Sequence, residues 1–542
     1  MSSSSPPTPL SQSTSFYSAP DGEDNSTAAS SPVHTHLFPY RSARPLPREL
    51  RQHCQIFLEE QLCTADELDV AVQALAYLRG VVSVVGPVKA DIRTAVQFRR
   101  WSRRSGHRGH GNDSQPSDHS DDSDQGNHAG DEDRLSGRLA NDSSLWSRGQ
   151  DFWSVLGWAM NCSVLHPRRW TYWKAWLDLM LDAMDKDWEE RERLDAEAHQ
   201  AAGTTGDVPV TARRESIVTM YLDQQTGRRG SFKAVIKALL ADGGPISSAA
   251  FREVFDKETR GPKRKKPSSS SSSRKRKRET LDLENDEFGD YLVDDEDECA
   301  SSGQSEPSTP QKKRGPDERT AATGPGDDDA EQVGLDHPGL VESVWVRLRL
   351  FRLVSLATHT MGRRGELDDL YSDLASALKL APLPLFSLIV SQRSNPLPPE
   401  AHVTLLKELF ALLLPASHRK PARVDPDAED AGAITPPMLR ECFAPYPANT
   451  VAADDNAKLS LVTESAVQLL WRCGAVEYTE LLGQAIERGI EAREAKTKKK
   501  RSATKARMDP GDILAHEVLS SSSERLRLLL EVMKATATTA VD

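Results

Sequence analysis

From about residue 258 to 334 the chain loses its apolar periodicity. It passes through a basic run, a serine block, a second basic run and then a series of acids. So few apolar side chains cannot repay the entropy of ordering the backbone. The stretch also exceeds the usual length of a connection inside a compact domain. It reads as a disordered linker dividing the molecule into two halves, and any fold must be built from what lies on either side. Composition agrees. Hydrophobic residues make up 37% of the 542 positions, below the roughly 45–50% of a wholly globular chain.

Two further polar stretches narrow the field. Residues 1–44 begin as Ser, Thr and Pro and read as a disordered tail. Residues from about 105 to 144 turn to Gly, Asp, Ser and His and read as a disordered insertion. The regions 45–257 and 335–542 remain, and there the apolar residues recur at helical spacing. Leu50, Cys54, Phe57 and Leu58 share one helix face. A second helix starts after Thr64, with Asp66 and Glu67 in the first turn, where acids suit the dipole. Its face is Leu68, Val72, Leu75 and Leu78, with Ala71 and Ala76 at the edges. Val81–Val85 reads as a short strand, although one such run makes no sheet.

Seven of the ten tryptophans lie between Trp146 and Trp188. Trp170, Trp173, Leu177, Met180, Leu181, Met184 and Trp188 form a continuous helical stripe, introduced by His166-Pro167. The charged stretch from Asp187 to Glu197 reads as its solvated extension. Further helices fit at 213–224, 231–241 and 247–257, the clearest carrying Phe232, Val235, Ile236, Leu239 and Leu240.

In the C-terminal half Val341, Val344, Trp345, Leu348 and Phe351 make one face. Leu350, Leu353, Val354 and Ala357 make a second, so this helix should be largely buried, with Arg347, Arg349 and Arg352 escaping to one side. More helices fit at about 366–380, 383–392, 399–414, 436–443, 457–473, 475–494 and 511–535, with a basic loop at about 495–510. Ser521, three residues before Glu524, resembles a capping box that would start the last helix afresh. With no period-2 series and no exact repeat, the expected fold is all-α. It consists of irregular or HEAT-like helical-repeat halves separated by long disordered linkers.

Several function classes are excluded on the residues present. No run of about 18 apolar residues exists to span a membrane. The first residues lack both a charged segment followed by an apolar one and an Arg-rich amphipathic segment, which argues against secretory or mitochondrial targeting. Six scattered cysteines, none in a CxxC pair, read as reduced thiols of a cytosolic or nuclear protein. His107, His110, His119 and His128 lie in a loop without the partners a metal site needs. A phosphate loop, nucleophile elbow, kinase set and zincin helix are all missing. The expectation is a non-enzymatic chain without cofactor or metal.

The positive signals lie mostly in the linker. Lys263, Arg264, Lys265 and Lys266, followed by Arg274, Lys275, Arg276, Lys277 and Arg278, resemble paired nuclear localisation signals. An extended chain can set these cations into importin grooves; the alternative is a solvated charge run or a nucleic-acid tail. Lys498–Arg501, with Lys505 and Arg507, is a third cluster. Tyr291, Leu292 and Val293, followed by Asp294 and Asp295, resemble a SUMO-interacting motif, in which an apolar strand adds to a sheet edge while acids meet a basic rim. Its plain alternative is an acidic tract that offsets the basic runs. Thr309-Pro310 resembles a proline-directed phosphorylation site whose phosphate would sit beside Lys312, Lys313 and Arg314.

Arg99, Arg100, Trp101, Arg103 and Arg104 combine cations with an aromatic in the manner of a nucleic-acid contact. The preferred reading is a helix end with Phe98 and Trp101 facing the core. Trp176 lies off the tryptophan stripe, so Trp170, Trp173, Trp176 and Trp188 are together a candidate partner surface. The LxxLL spacings at Leu409–Leu413 and Leu526–Leu530 read as core. These features predict a nuclear scaffold or adaptor, a phosphoprotein that binds the subunits of a chromatin-associated or transcription-linked complex, importin and SUMO. The alternative is direct, sequence-nonspecific DNA or RNA binding through the basic clusters, against an overall charge of −12.

Overall fold

A computed structural model of the chain describes residues 50–51, 53–54, 68–98, 145–203, 208–226, 232–255, 258–259, 336–362, 365–391, 395–503 and 509–539. These residues belong to one compact unit, Leu46–Asp542. They are predominantly helical, and no strand occurs among them.

Helix α1 (Leu68–Gly80) runs straight into a π-helical turn at Val81–Val85, where a strand was expected. The Gly86 N–H reaches the Val81 carbonyl at 3.1 Å, so the turn satisfies its own backbone, which a lone strand could not do. The buried stripe is also rotated from the expected one. Ala71, Ala74 and Leu78 are buried and continue into Val81 and Val82, while Val72 is 61% exposed. A reading weighted by side-chain size overlooks alanines as core positions.

Helix α2 (Phe152–Leu165) is capped by Asp151, whose carboxylate accepts the Ser154 N–H at 2.7 Å. Nearly every residue from Phe152 to Ser163 is buried, as befits a helix apolar on all sides. Helix α3 (Pro167–Ala202) has Pro167 in its first turn and ends at Gly203 in the left-handed region, with φ 61°. The tryptophan stripe is buried throughout.

Its charged continuation is solvated on one side only: Glu189, Glu192, Arg193 and Glu197 are exposed as expected, whereas Asp187, Arg191 and Asp195 are buried. Asp187 accepts the Ile217 N–H at 2.8 Å, at the start of α4 (Ile217–Thr226). Asp195 accepts the Ala212 and Arg213 N–H groups at 2.7 and 3.2 Å. Two turns apart on α3, these carboxylates hold the next two helix starts. Helix α5 (Lys233–Leu239) then packs on α2. The helix expected at 247–257 is shorter, Pro245–Ala250.

The C-terminal helices are α6 (Pro338–Met361), α7 (Glu366–Leu380), α8 (Leu383–Val390), α9 (Pro399–Leu413), α10 (Ala453–Arg472), α11 (Glu480–Ala503) and α12 (Pro510–Thr539). Proline occupies the first turn of α6, α8 and α9, where its missing N–H costs no helical bond. Helix α11 continues through the stretch expected as a basic loop, up to Ala503.

Helix α12 does not restart at Ser521. Ser522 is buried against α10, 2.9 Å from Ser460 Oγ and donating to Glu464 Oε2 at 2.9 Å. The neighbouring Arg525 adds two bonds to the same carboxylate. Serine is small enough for a close helix crossing, and here its hydroxyl is satisfied there. These pairings join α10 to α12, and the two pack on each other more extensively than α10 does on α11. Leu409, Leu413 and Leu526 are buried, whereas Leu528 is exposed.

The two halves meet. Helix α6 packs on α2, α3 and α4 of the N-terminal region and on α7 and α8 of its own, and α7 also reaches α5.

Candidate functional site

The linker is flanked by two carboxylates that find their partners on adjacent turns of α3. Before it stands Glu258, whose carboxylate is fully buried. It accepts the indole N–H of Trp173 at 2.6 Å and that of Trp158 at 3.0 Å, and it pairs with Arg169. The Arg169 guanidinium lies 5.2 Å from the Trp173 ring centre and 5.7 Å from that of Phe255. An ion pair in so apolar a setting persists when its remaining acceptor sites are filled, as the indoles do here. After the linker, His337 Nδ1 accepts the Leu340 N–H and caps α6. One turn on, Glu342 accepts the Trp170 indole N–H at 3.1 Å. Trp170 and Trp173 are three residues apart on one helix, so the chain leaves for the linker and returns from it along the same stretch of α3.

The start of α6 lies close against α2. A Cβ on Gly339 would stand 1.9 Å from the Ser163 carbonyl oxygen, so no side chain fits. Farther along, Arg349 bonds Asp182 at 2.7 Å and Asp185 at 2.6 Å, and Arg352 bonds Asp185 at 2.7 Å. Arg347 does not escape to solvent with them as expected. It is buried, donates to the Leu239 carbonyl at 2.5 Å and to Ser343 Oγ at 2.9 Å, and burial pushes its pKa down to about 9. On the other side of α6, Phe351 stacks edge-on with Tyr371, and Ser355 Oγ lies 2.9 Å from the Tyr371 hydroxyl.

Several expected site residues lie outside the described residues. They are Lys263–Lys266, Arg274–Arg278, Tyr291–Asp295, Thr309 and the segment Arg99–Arg104. Phe98, just before that segment, is buried with its ring 5.1 Å from Trp146 and 6.2 Å from Tyr221. Trp170, Trp173, Trp176 and Trp188 are all buried, so the four indoles do not present an exposed partner face. Of the four, Trp170 reaches the C-terminal half, through Glu342. The sequence pattern gives no sign of Glu258, Glu342 or the Arg349–Asp182–Asp185 cluster as pairing sites. The available signal was the tryptophan surplus itself, since buried indole N–H groups seek acceptors.

Burial raises the Cys54 thiol to about 12 and that of Cys442 to about 11, which keeps both protonated. Among the described residues no group of three His, Cys, Asp or Glu side chains is close enough to hold a metal ion. A shallow open groove lies between the end of α1 and α3, lined by Arg79, Ser83, Leu179, Asp182 and Lys186. Its charges are mixed, and Asp182 is already engaged with Arg349. No helix among the described residues is long and apolar enough to cross a membrane. No protein-family model, curated protein or solved structure matches the chain.

Proposed function

We propose that this chain is a non-enzymatic nuclear scaffold, an adaptor whose helical body binds protein partners and presents the basic, acidic and Thr309-containing linker to import and regulatory factors. The observation that carries this reading is the placement of both linker flanks, through Glu258 and Glu342, on adjacent turns of α3. Both ends of the motif-bearing segment are thereby tied to one helix. The uses found for the buried acids support the same reading. Glu258, Asp187, Asp195 and Glu464 are spent on indoles, backbone N–H groups and arginines, and they do not converge on a shared cleft. We take the two halves to be irregular helical arrays and not HEAT-like repeats, because α10 pairs chiefly with α12 and less extensively with its chain neighbour α11.

The test is affinity purification of the tagged full chain from its own cells, with nuclease treatment, followed by mass spectrometry. A stoichiometric set of nuclear proteins that survives nuclease supports the scaffold reading. A chain recovered bare would overturn it. One observation favours the second reading, direct nucleic-acid binding: α11 carries Lys498–Arg501 in helical backbone, and Lys498 is largely exposed. Its signature is an affinity for mixed-sequence duplex that falls steeply with added salt.

A further inference from the structure

Helix α6 is covalently part of the C-terminal half, yet much of its surface is fitted to the N-terminal one. Its contacts there form a recognition code along the helix. Gly339 admits the Ser163 carbonyl, Glu342 takes the Trp170 indole, Arg347 caps the end of α5 at Leu239, and Arg349 and Arg352 engage Asp182 and Asp185. A shift of one residue would bring a side chain onto the Ser163 carbonyl and turn the arginines away from the two aspartates, so both register and orientation are specified. Apolar burial joins these points, since Val346, Leu350, Leu353, Val354 and Ala357 are all buried. The opposite side holds Tyr371 through Phe351 and Ser355.

From this we infer that the N-terminal region is a receptor for the amphipathic helix Pro338–Met361, and that the two halves form a non-covalent pair that does not depend on the linker for its closure. The linker contributes effective concentration, which is on the order of millimolar for flexible tethers and falls with their length. The interface contributes the specificity. Modification or cutting anywhere in the linker would therefore leave the body closed.

The experiment uses the full chain, folded and purified with a specific protease site inserted between Ser302 and Gly303. After complete cleavage the sample is passed over a gel-filtration column at low micromolar concentration. Co-elution of both fragments at the volume of the uncut chain is the expected result. Separation into two peaks under native conditions overturns the inference. A second arm tests the code. In the cut protein, Arg349→Asp with Arg352→Asp should raise the concentration for half-dissociation at least tenfold, and adding Asp182→Arg with Asp185→Arg should recover most of that loss. Equal tightness in all three proteins would remove the two arginines from the code.

Discussion

Glu258 shows what a single residue does here. It stands where the expected linker begins, and nothing in its local pattern distinguishes it from its polar neighbours. The fold turns it into the shared acceptor for two indoles and a guanidinium. Glu258→Gln removes the charge and leaves Arg169 buried against aromatic rings without its carboxylate. Removing one partner of a buried pair typically costs about 3–5 kcal/mol, and urea unfolding should show a loss of that size. A loss below about 1 kcal/mol would mean the pair is not the anchor described.

His402 acts through pH. It is buried in α9, and burial lowers its pKa from 6.5 to about 4. The unfolded chain therefore takes up a proton first. The stability that follows from keeping His402 neutral is fully present above pH 6.5 and is lost as pH falls through the window from 6.5 to 4. The full loss is roughly 3 kcal/mol, since every pH unit between the folded and unfolded values is worth about 1.4 kcal/mol. A His402→Gln variant should lose less stability than the wild type between about pH 7 and pH 4.5. Equal losses would show that His402 contributes nothing to the pH dependence.

At the scale of elements, periodicity carries most of the fold. The stripe of α3 and most helices of the C-terminal half stand close to where their apolar spacing puts them, whereas on α6 the expected face holds in part only, with Val341 and Trp345 exposed. The departures share a cause, which is that composition alone does not say whether a polar residue is solvated. Asp187, Arg191 and Asp195 look like a solvated face because each is charged; they are buried because the helix starts at 211 and 217 bring backbone N–H groups to the two aspartates, while Arg191 donates to Asp187 and to the Ala212 carbonyl. Ser521 resembles a capping box that restarts the helix, yet the helix runs through it, and small hydroxyl residues suit a close crossing of α10 and α12. The Val81–Val85 run has strand composition but no second strand to pair with among the described residues. The capping role is testable. Asp195→Ala should cost about 1 kcal/mol, within the range of N-cap removals. Amide hydrogen exchange should accelerate first in 208–216 and leave α2 unchanged. Uniform acceleration across both would show that Asp195 supports the whole body and not one helix start.

At the scale of the whole molecule, the expected division into halves left their relation open, because no periodicity encodes which helix faces meet across a linker; the described residues on both sides belong to one compact unit. The apolar residues on both sides of α6 predicted its burial, but its partners depend on Gly339 meeting Ser163 and on acids some 165 positions upstream. Sharing one central helix has a thermodynamic consequence: neither half can lose α6 without exposing its own core, so the two should unfold together as a two-state unit. The tryptophans make this measurable. All but Trp345 and Trp471 precede the linker, so indole fluorescence follows the N-terminal half while far-UV circular dichroism follows both. In the wild type the two urea transitions should coincide. Gly339→Leu places a side chain against the Ser163 carbonyl and prises α6 from α2 while leaving the Phe351–Tyr371 side intact. Its fluorescence transition should then move to lower urea and separate from a later dichroism transition carried by α7 to α12. Coincident transitions in the variant would mean that the coupling does not run through the start of α6, and distinct transitions in the wild type would mean that the halves are not coupled at all.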